Sequence, residues 1–101
     1  MFVVSNRLYL NEAYGDELSR RFQARVPKLK EQTGFVKMQV LKSQGKETPW
    51  IIQTTWATQQ DFKNWVQSPD FKDAHANPMP EEAFERSGNM EQHTIAVDSD
   101  A

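Results

Sequence analysis

The 101-residue chain contains no cysteine, which excludes disulfides, thiolate nucleophiles, cysteine-ligated zinc and iron–sulfur clusters. Histidine, carboxylates and amides remain as candidate ligands, and histidine occurs only twice. Strong net charge is lacking as well: 12 basic against 14 acidic residues give −2, with the two signs interleaved along the chain. Nucleic acid would find no electrostatic footprint here. No apolar run approaches the ~18 residues of a membrane span. Met1-Phe2-Val3-Val4 is too short for a signal-peptide core and gives way at once to Asn6 and Arg7. A cytoplasmic location is therefore the expectation.

What is present is the composition of an ordinary single domain, expected over residues 1–97, with a frayed tail at 98–101. A chain this short buries only about two thirds of its unfolded surface or less, so a second protomer over an exposed sheet face would add considerable burial. Homodimerisation is expected on that ground before any motif is read.

Alternation marks the first strand: Phe2, Val4, Asn6, Leu8 and Leu10 share one parity, while Val3, Ser5, Arg7 and Tyr9 share the other. Tyr14-Gly15-Asp16 starts a helix whose Leu18, Phe22, Arg25 and Leu29 fall on one face. Pro27 lacks the N–H that a helix interior needs, so a kink or restart is expected near Ala24 to Val26, with Gly34 closing the segment. Phe35–Lys42 and Trp50–Trp56 read as two strands joined in a hairpin across Gln44-Gly45-Lys46. Thr58 with Asp61 resembles a capping box ahead of Phe62, Trp65 and Val66 at helical spacing. Ser68-Pro69 then caps a short helix carrying Phe71, Ala74 and His75, which Pro78 and Pro80 end. Residues 77–89 read as a solvated loop, and Gln92–Val97 as the last strand. The order strand, helix, strand, strand, helix, strand is that of an α+β, ferredoxin-like βαββαβ protomer. Its helices cover one sheet face. The aromatic and β-branched residues of the strands argue that a second sheet covers the other, making a dimeric α+β barrel.

Three residues interrupt this regular pattern: Asn6 on the apolar parity of its strand, Trp65 on the apolar stripe of its helix, and His75 on the apolar side of the next. Each alone also fits a plain structural role. An inward amide can satisfy neighbouring backbone groups, a helical aromatic can pack in a core, and a helix-end histidine can cap the last carbonyls.

Together they carry a resemblance. Ser5-Asn6-Arg7-Leu8, the Arg21-Phe22 pair with Arg25, the Gly34-Phe35 step, and Trp56 with Phe62, Trp65 and Phe71 through His75 resemble the IsdG/IsdI-type haem-degrading monooxygenases. That family belongs to the antibiotic-biosynthesis-monooxygenase superfamily of dimeric α+β barrels. The likeness spans roughly residues 1–97, and its Asn–Trp–His set is present as Asn6, Trp65 and His75. It implies that haem is both substrate and cofactor, cleaved with dioxygen and an external electron donor to an open-chain tetrapyrrole, with iron released. A reductase or small-molecule reductant is the implied partner.

By the same resemblance, His75 is the axial ligand of the haem iron, Trp65 presses the porphyrin out of plane, and Asn6 offers an amide N–H that orients the oxygenation. Phe22 and Phe71 are expected as apolar walls and Arg25 as the partner of a haem propionate, although core packing and a salt bridge suit them equally. His93, sharing parity with Ile95 and Val97, is the rival ligand. Two other functions fit the same residues: a cofactor-independent monooxygenase of a quinol-like or polyketide substrate, and a haem carrier or sensor without turnover.

Overall fold

A computed structural model describes residues 1–100. Four strands, β1 (Phe2–Leu10), β2 (Phe35–Leu41), β3 (Trp50–Trp56) and β4 (Phe84–Thr94), form one antiparallel sheet in the order β2-β3-β1-β4. Three helices accompany it: α1 (Gly15–Lys30), α2 (Gln59–Val66) and α3 (Pro69–Ala74). The protomer has the ferredoxin-like α+β fold. Among the described residues no helix is long and apolar enough to cross a membrane.

Parity decides which side chains meet the helices. Phe2 and Val4 of β1 pack with Trp56 of β3, Leu29 of α1 and Trp65 of α2, while Leu10, Trp50 and Ile52 pack with Leu18 of α1 and Ala83. Trp56 is fully buried at the centre of the aromatic cluster, edge-on to Phe35 and Phe62 and stacked against Trp65. Aromatic side chains bury large areas, so this cluster anchors both α1 and α2 to the sheet.

The local signals do what their chemistry requires. Thr58 Oγ1 accepts from the Asp61 N–H at 3.1 Å, and Ser68 Oγ from the Phe71 N–H at 3.2 Å, so each hydroxyl satisfies a donor orphaned at a helix start. Gly34 adopts φ +79°, and a Cβ there would collide with the Asp61 carboxylate. Only glycine serves at that turn.

Three expectations need correction. Helix α1 runs through Pro27 without a restart. Pro27 lies within the last turn on the exposed side, and Gln23, whose carbonyl loses its partner, is also exposed, so that carbonyl is open to solvent. The segment 77–89 is not a loop throughout: β4 begins at Phe84, after a short 3-10 turn at Glu81–Ala83. The last strand accordingly runs Phe84–Thr94 instead of Gln92–Val97. Its pairing with β1 shifts register around Tyr9, where Gly88 approaches so closely that a Cβ would lie 1.8 Å from the Arg7 carbonyl oxygen. Of the expected tail, Asp98–Asp100 make a turn in which the Asp100 N–H donates to Asp98 Oδ1 at 2.9 Å, and Ala101 lies outside the described residues.

The sheet face away from the helices is more polar than the strand composition implied. Ser5 Oγ donates to Gln53 Oε1 at 3.3 Å, and Arg7 Nε donates to Glu91 Oε1 at 2.8 Å. Val3, Tyr9 and Ile51 are half-buried, and Leu41 is exposed.

Candidate active site

Between the helices and the sheet lies a cavity of about 420 Å³ whose wall includes Asn6, Phe22, Arg25, Trp65, Phe71 and His75. A larger depression, about 610 Å³, sits beside the β2–β3 connection. It is bounded by loop residues such as Lys42, Lys46 and Glu47, with no histidine or aromatic side chain. The smaller, apolar cavity is the one with the convergent polar groups expected of a ligand site.

Each element contributes by its own periodicity. On β1, Asn6 pairs with Ile52 of β3 and Met90 of β4, which points its amide into the cavity from the sheet. Among the described residues that amide has no hydrogen-bond partner. Trp65, 8% exposed, is held from two sides, stacked on Trp56 at 6.3 Å and edge-on to Phe71 at 5.6 Å. Trp65 is thus both a core residue and a wall, and the indole has no room to swing aside.

His75 occupies the C-cap of α3 and is exposed at the cavity's rim. Its ring stacks on Phe71 at 4.0 Å, and Nδ1 lies 2.8 Å from the Phe71 carbonyl oxygen. A carbonyl can only accept, so Nδ1 carries the proton and the lone pair of a neutral ring resides on Nε2. That is the state in which an imidazole binds a metal, with the other nitrogen fixing ring orientation.

Arg25 reaches the same cavity from α1. Its Cζ stands 4.2 Å over the Phe22 ring, and Nη2 donates to the Ala74 carbonyl at 2.8 Å. No carboxylate pairs with it among the described residues. Burial, and then repulsion from Arg21, lower its pKa from the ordinary guanidinium value. A guanidinium remains charged regardless, so the cavity holds an uncompensated cation suited to an entering carboxylate.

All six residues singled out in the sequence therefore meet in one place. His93 does not join them: its register partner is Val3, on the opposite sheet face beside Glu91. Met38, Phe62 and Met90 also line the cavity and were not anticipated as site residues. Met90 is 51% exposed and lies just before the expected strand Gln92–Val97, so its pairing with Asn6 falls outside that expectation. The even parity of Met90, Gln92 and Thr94 was the available signal.

The sequence pattern of the family described as antibiotic biosynthesis monooxygenase matches residues 1–77. A heme oxygenase (staphylobilin-producing) from Staphylococcus epidermidis is 37% identical over 79 residues, covering 76% of this chain and 75% of that protein. A heme-degrading monooxygenase from Bacillus cereus is 34% identical over 85 residues, covering 80% and 78%. The chain belongs to the haem-degrading monooxygenases of this family. Among solved structures, the heme-degrader MhuD from Mycobacterium tuberculosis, with two hemes bound in its active site, superposes with a TM-score of 0.75. At 23% identity over 97% of this chain and 98% of that one, it shows a shared fold.

Proposed function

We propose that this protein cleaves haem with dioxygen and an external electron donor to an open-chain tetrapyrrole, releasing iron, and that it does so in the cavity beneath its three helices. The observation that carries this reading is His75: a histidine at the rim of an apolar cavity with Nδ1–H committed to the Phe71 carbonyl and Nε2 left free. Bound haem would supply both the oxidisable ring and the centre at which dioxygen is activated. Binding and orientation fall to side chains already in place, while dioxygen and electrons come from outside.

The residues fit such a guest. His75 would hold the haem iron through Nε2, and the Phe71 stack keeps its ring from turning away. Trp65, locked between Trp56 and Phe71, is a rigid wall that would press on a bound macrocycle and tune its reactivity through its shape. Asn6 presents an unpaired amide from the sheet and orients the oxygenation through a hydrogen bond. Phe22 and Phe71 supply apolar contact, and the Arg25 guanidinium pairs with a propionate. We further propose that residues 1–97 act as one domain in the cytoplasm, as a homodimer whose sheets face each other, supplied with electrons by a separate reductase or small reductant.

Adding haemin to the purified protein and following the Soret band tests this reading, first alone and then with ascorbate in air. The expected result is a shifted Soret band that bleaches under reductant while chelatable iron appears. A stable shift without bleaching would indicate a carrier or sensor. No shift would favour a cofactor-independent oxygenase acting on an organic substrate.

A further inference from the structure

The segment carrying His75 has little of its own to hold it. Helix α3 is six residues long, and no regular structure follows until Glu81. What fixes it is a row of side chains on α1 and on the turn that follows it. Gln32 Nε2 donates to Asp70 Oδ2 at 3.0 Å, Arg25 Nη2 donates to the Ala74 carbonyl at 2.8 Å, and Arg21 Nη1 donates to the Asn77 carbonyl. Residues 70, 74 and 77 thus run antiparallel to residues 32, 25 and 21. The two arginines, one helical turn apart, seize carbonyls on either side of His75. Glu17 in turn accepts from Arg21 Nε at 2.8 Å, which keeps the outer guanidinium aimed.

We propose that Arg21 and Arg25 are positioning residues for His75, forming a clamp from α1 that sets where its Nε2 sits in the cavity. Carbonyls at and just beyond a helix C-terminus lack intrahelical donors and carry the negative end of the helix dipole, so a guanidinium is a strong partner there. The His75 ring is tied to α3 through the Phe71 carbonyl, and the C-terminal end of α3 is tied to α1 through the arginines. Each link is a hydrogen bond, so the ligand nitrogen inherits its position from α1. The role assigned to the clamp rests on the haem reading above, whereas its existence does not. Arg25 also lines the cavity, but Arg21 does not, so Arg21 separates positioning from substrate contact.

The test is Arg21→Gln, with Arg21→Lys as a milder variant that keeps the charge but cannot hold Glu17 and Asn77 together. In the haem-free protein, amide hydrogen exchange is read at His75 and Ala76, whose N–H groups donate to the Phe71 and Asp73 carbonyls at 3.1 and 3.3 Å. Exchange there is expected to accelerate about ten-fold in Arg21→Gln and less in Arg21→Lys, with α1 and β1 unchanged. Haemin affinity should fall by about ten-fold, the usual size of an outer-shell effect, and free imidazole should restore the parental ferric spectrum. Parental exchange at both amides in both variants would overturn the clamp. Faster exchange, in a protein whose parental form gives no nitrogen-ligated haemin spectrum, would leave the clamp standing and overturn His75 as the ligand.

Discussion

The two faces of the sheet are built from the same strands, yet they differ in nearly every physical respect. Toward the helices, alternate residues bring Val4, Asn6, Ile52 and Met90 onto a cavity floored by packed aromatics. Away from the helices, the intervening residues bring Arg7, Gln53, Glu91 and His93 onto a face laced with hydrogen bonds and an ion pair. One-residue parity therefore turns His93 away from the cavity, whereas His75 reaches its rim from the end of α3. Composition alone does not separate them, since neither histidine is set apart by its immediate neighbours, Ala74 and Ala76 for one and Gln92 and Thr94 for the other.

Substituting the histidines should break this asymmetry most visibly. His75→Ala is expected to lower reductant-driven haem loss by about 100-fold or more, the outcome that the proposed ligand requires. His93→Ala should leave the rate within a factor of two of the parental protein. Single-turnover bleaching of bound haemin is the measurement.

Next in size is the aromatic floor. Trp65→Ala empties a nearly closed site against Trp56 and should cost ~3–5 kcal/mol of stability, a large share of the ~5–15 kcal/mol typical of a domain. Tyr9→Ala, on the other face, should cost much less. Thermal melts compare them. Because the alanine variant threatens the fold, the chemistry of this position is read from Trp65→Phe. That variant should retain haemin while degrading it several-fold more slowly, as expected of a wall that acts on ring shape.

The neighbouring pair Asn6 and Ser5 sharpens the contrast at single-residue resolution. Asn6→Ala should keep haem affinity within about three-fold yet slow turnover about ten-fold, since the amide has no structural partner to lose. Ser5→Ala loses only its hydrogen bond to Gln53 and should leave turnover unchanged. Equal effects from both would remove the distinction between the faces.

The smallest effect on the protomer, but an informative one, is expected at Arg7. The hydrogen bond from Arg7 holds the Glu91 carboxyl below its ordinary pKa. The pair's contribution is therefore present above the usual carboxylate range and is lost as pH falls through the lowered value of the folded state. If a second sheet covers this face, Arg7→Glu should shift light-scattering mass from dimer toward monomer while barely changing the protomer's own melting. An unchanged dimer would place the dimer interface elsewhere.

How far the sequence reveals this arrangement depends on where each residue sits. β1 is legible because it is central: paired on both sides, it turns Phe2, Val4 and Leu10 into the core beneath the helices, so its apolar parity shows in the residues themselves. Thr58 and Ser68 are legible because capping is local chemistry. β4 is illegible over its first half. As an edge strand its residues from Glu85 to Met90 are all exposed, so no burial pattern is imposed on them, and the register shift opposite Gly88 interrupts what alternation remains. The same blindness hid Met90. Pro27 misleads for a different reason, since the cost of a missing hydrogen bond depends on whether water can replace it. In the site, Asn6, Trp65 and His75 stand out by residue type on an apolar pattern. The Arg21 and Arg25 contacts could not be foreseen, because their acceptors are backbone carbonyls some 50 residues away, on an element whose docking no periodicity encodes.

The claim on which the rest depends is that His75 presents Nε2 to haem iron, and it is tested most directly by the ferric spectrum of haemin-loaded His75→Ala before and after adding free imidazole. The protein read in this way should lose the parental nitrogen-ligated spectrum, regain most of it with millimolar imidazole, and show neither change in His93→Ala. A parental spectrum in His75→Ala without imidazole would contradict the assignment outright.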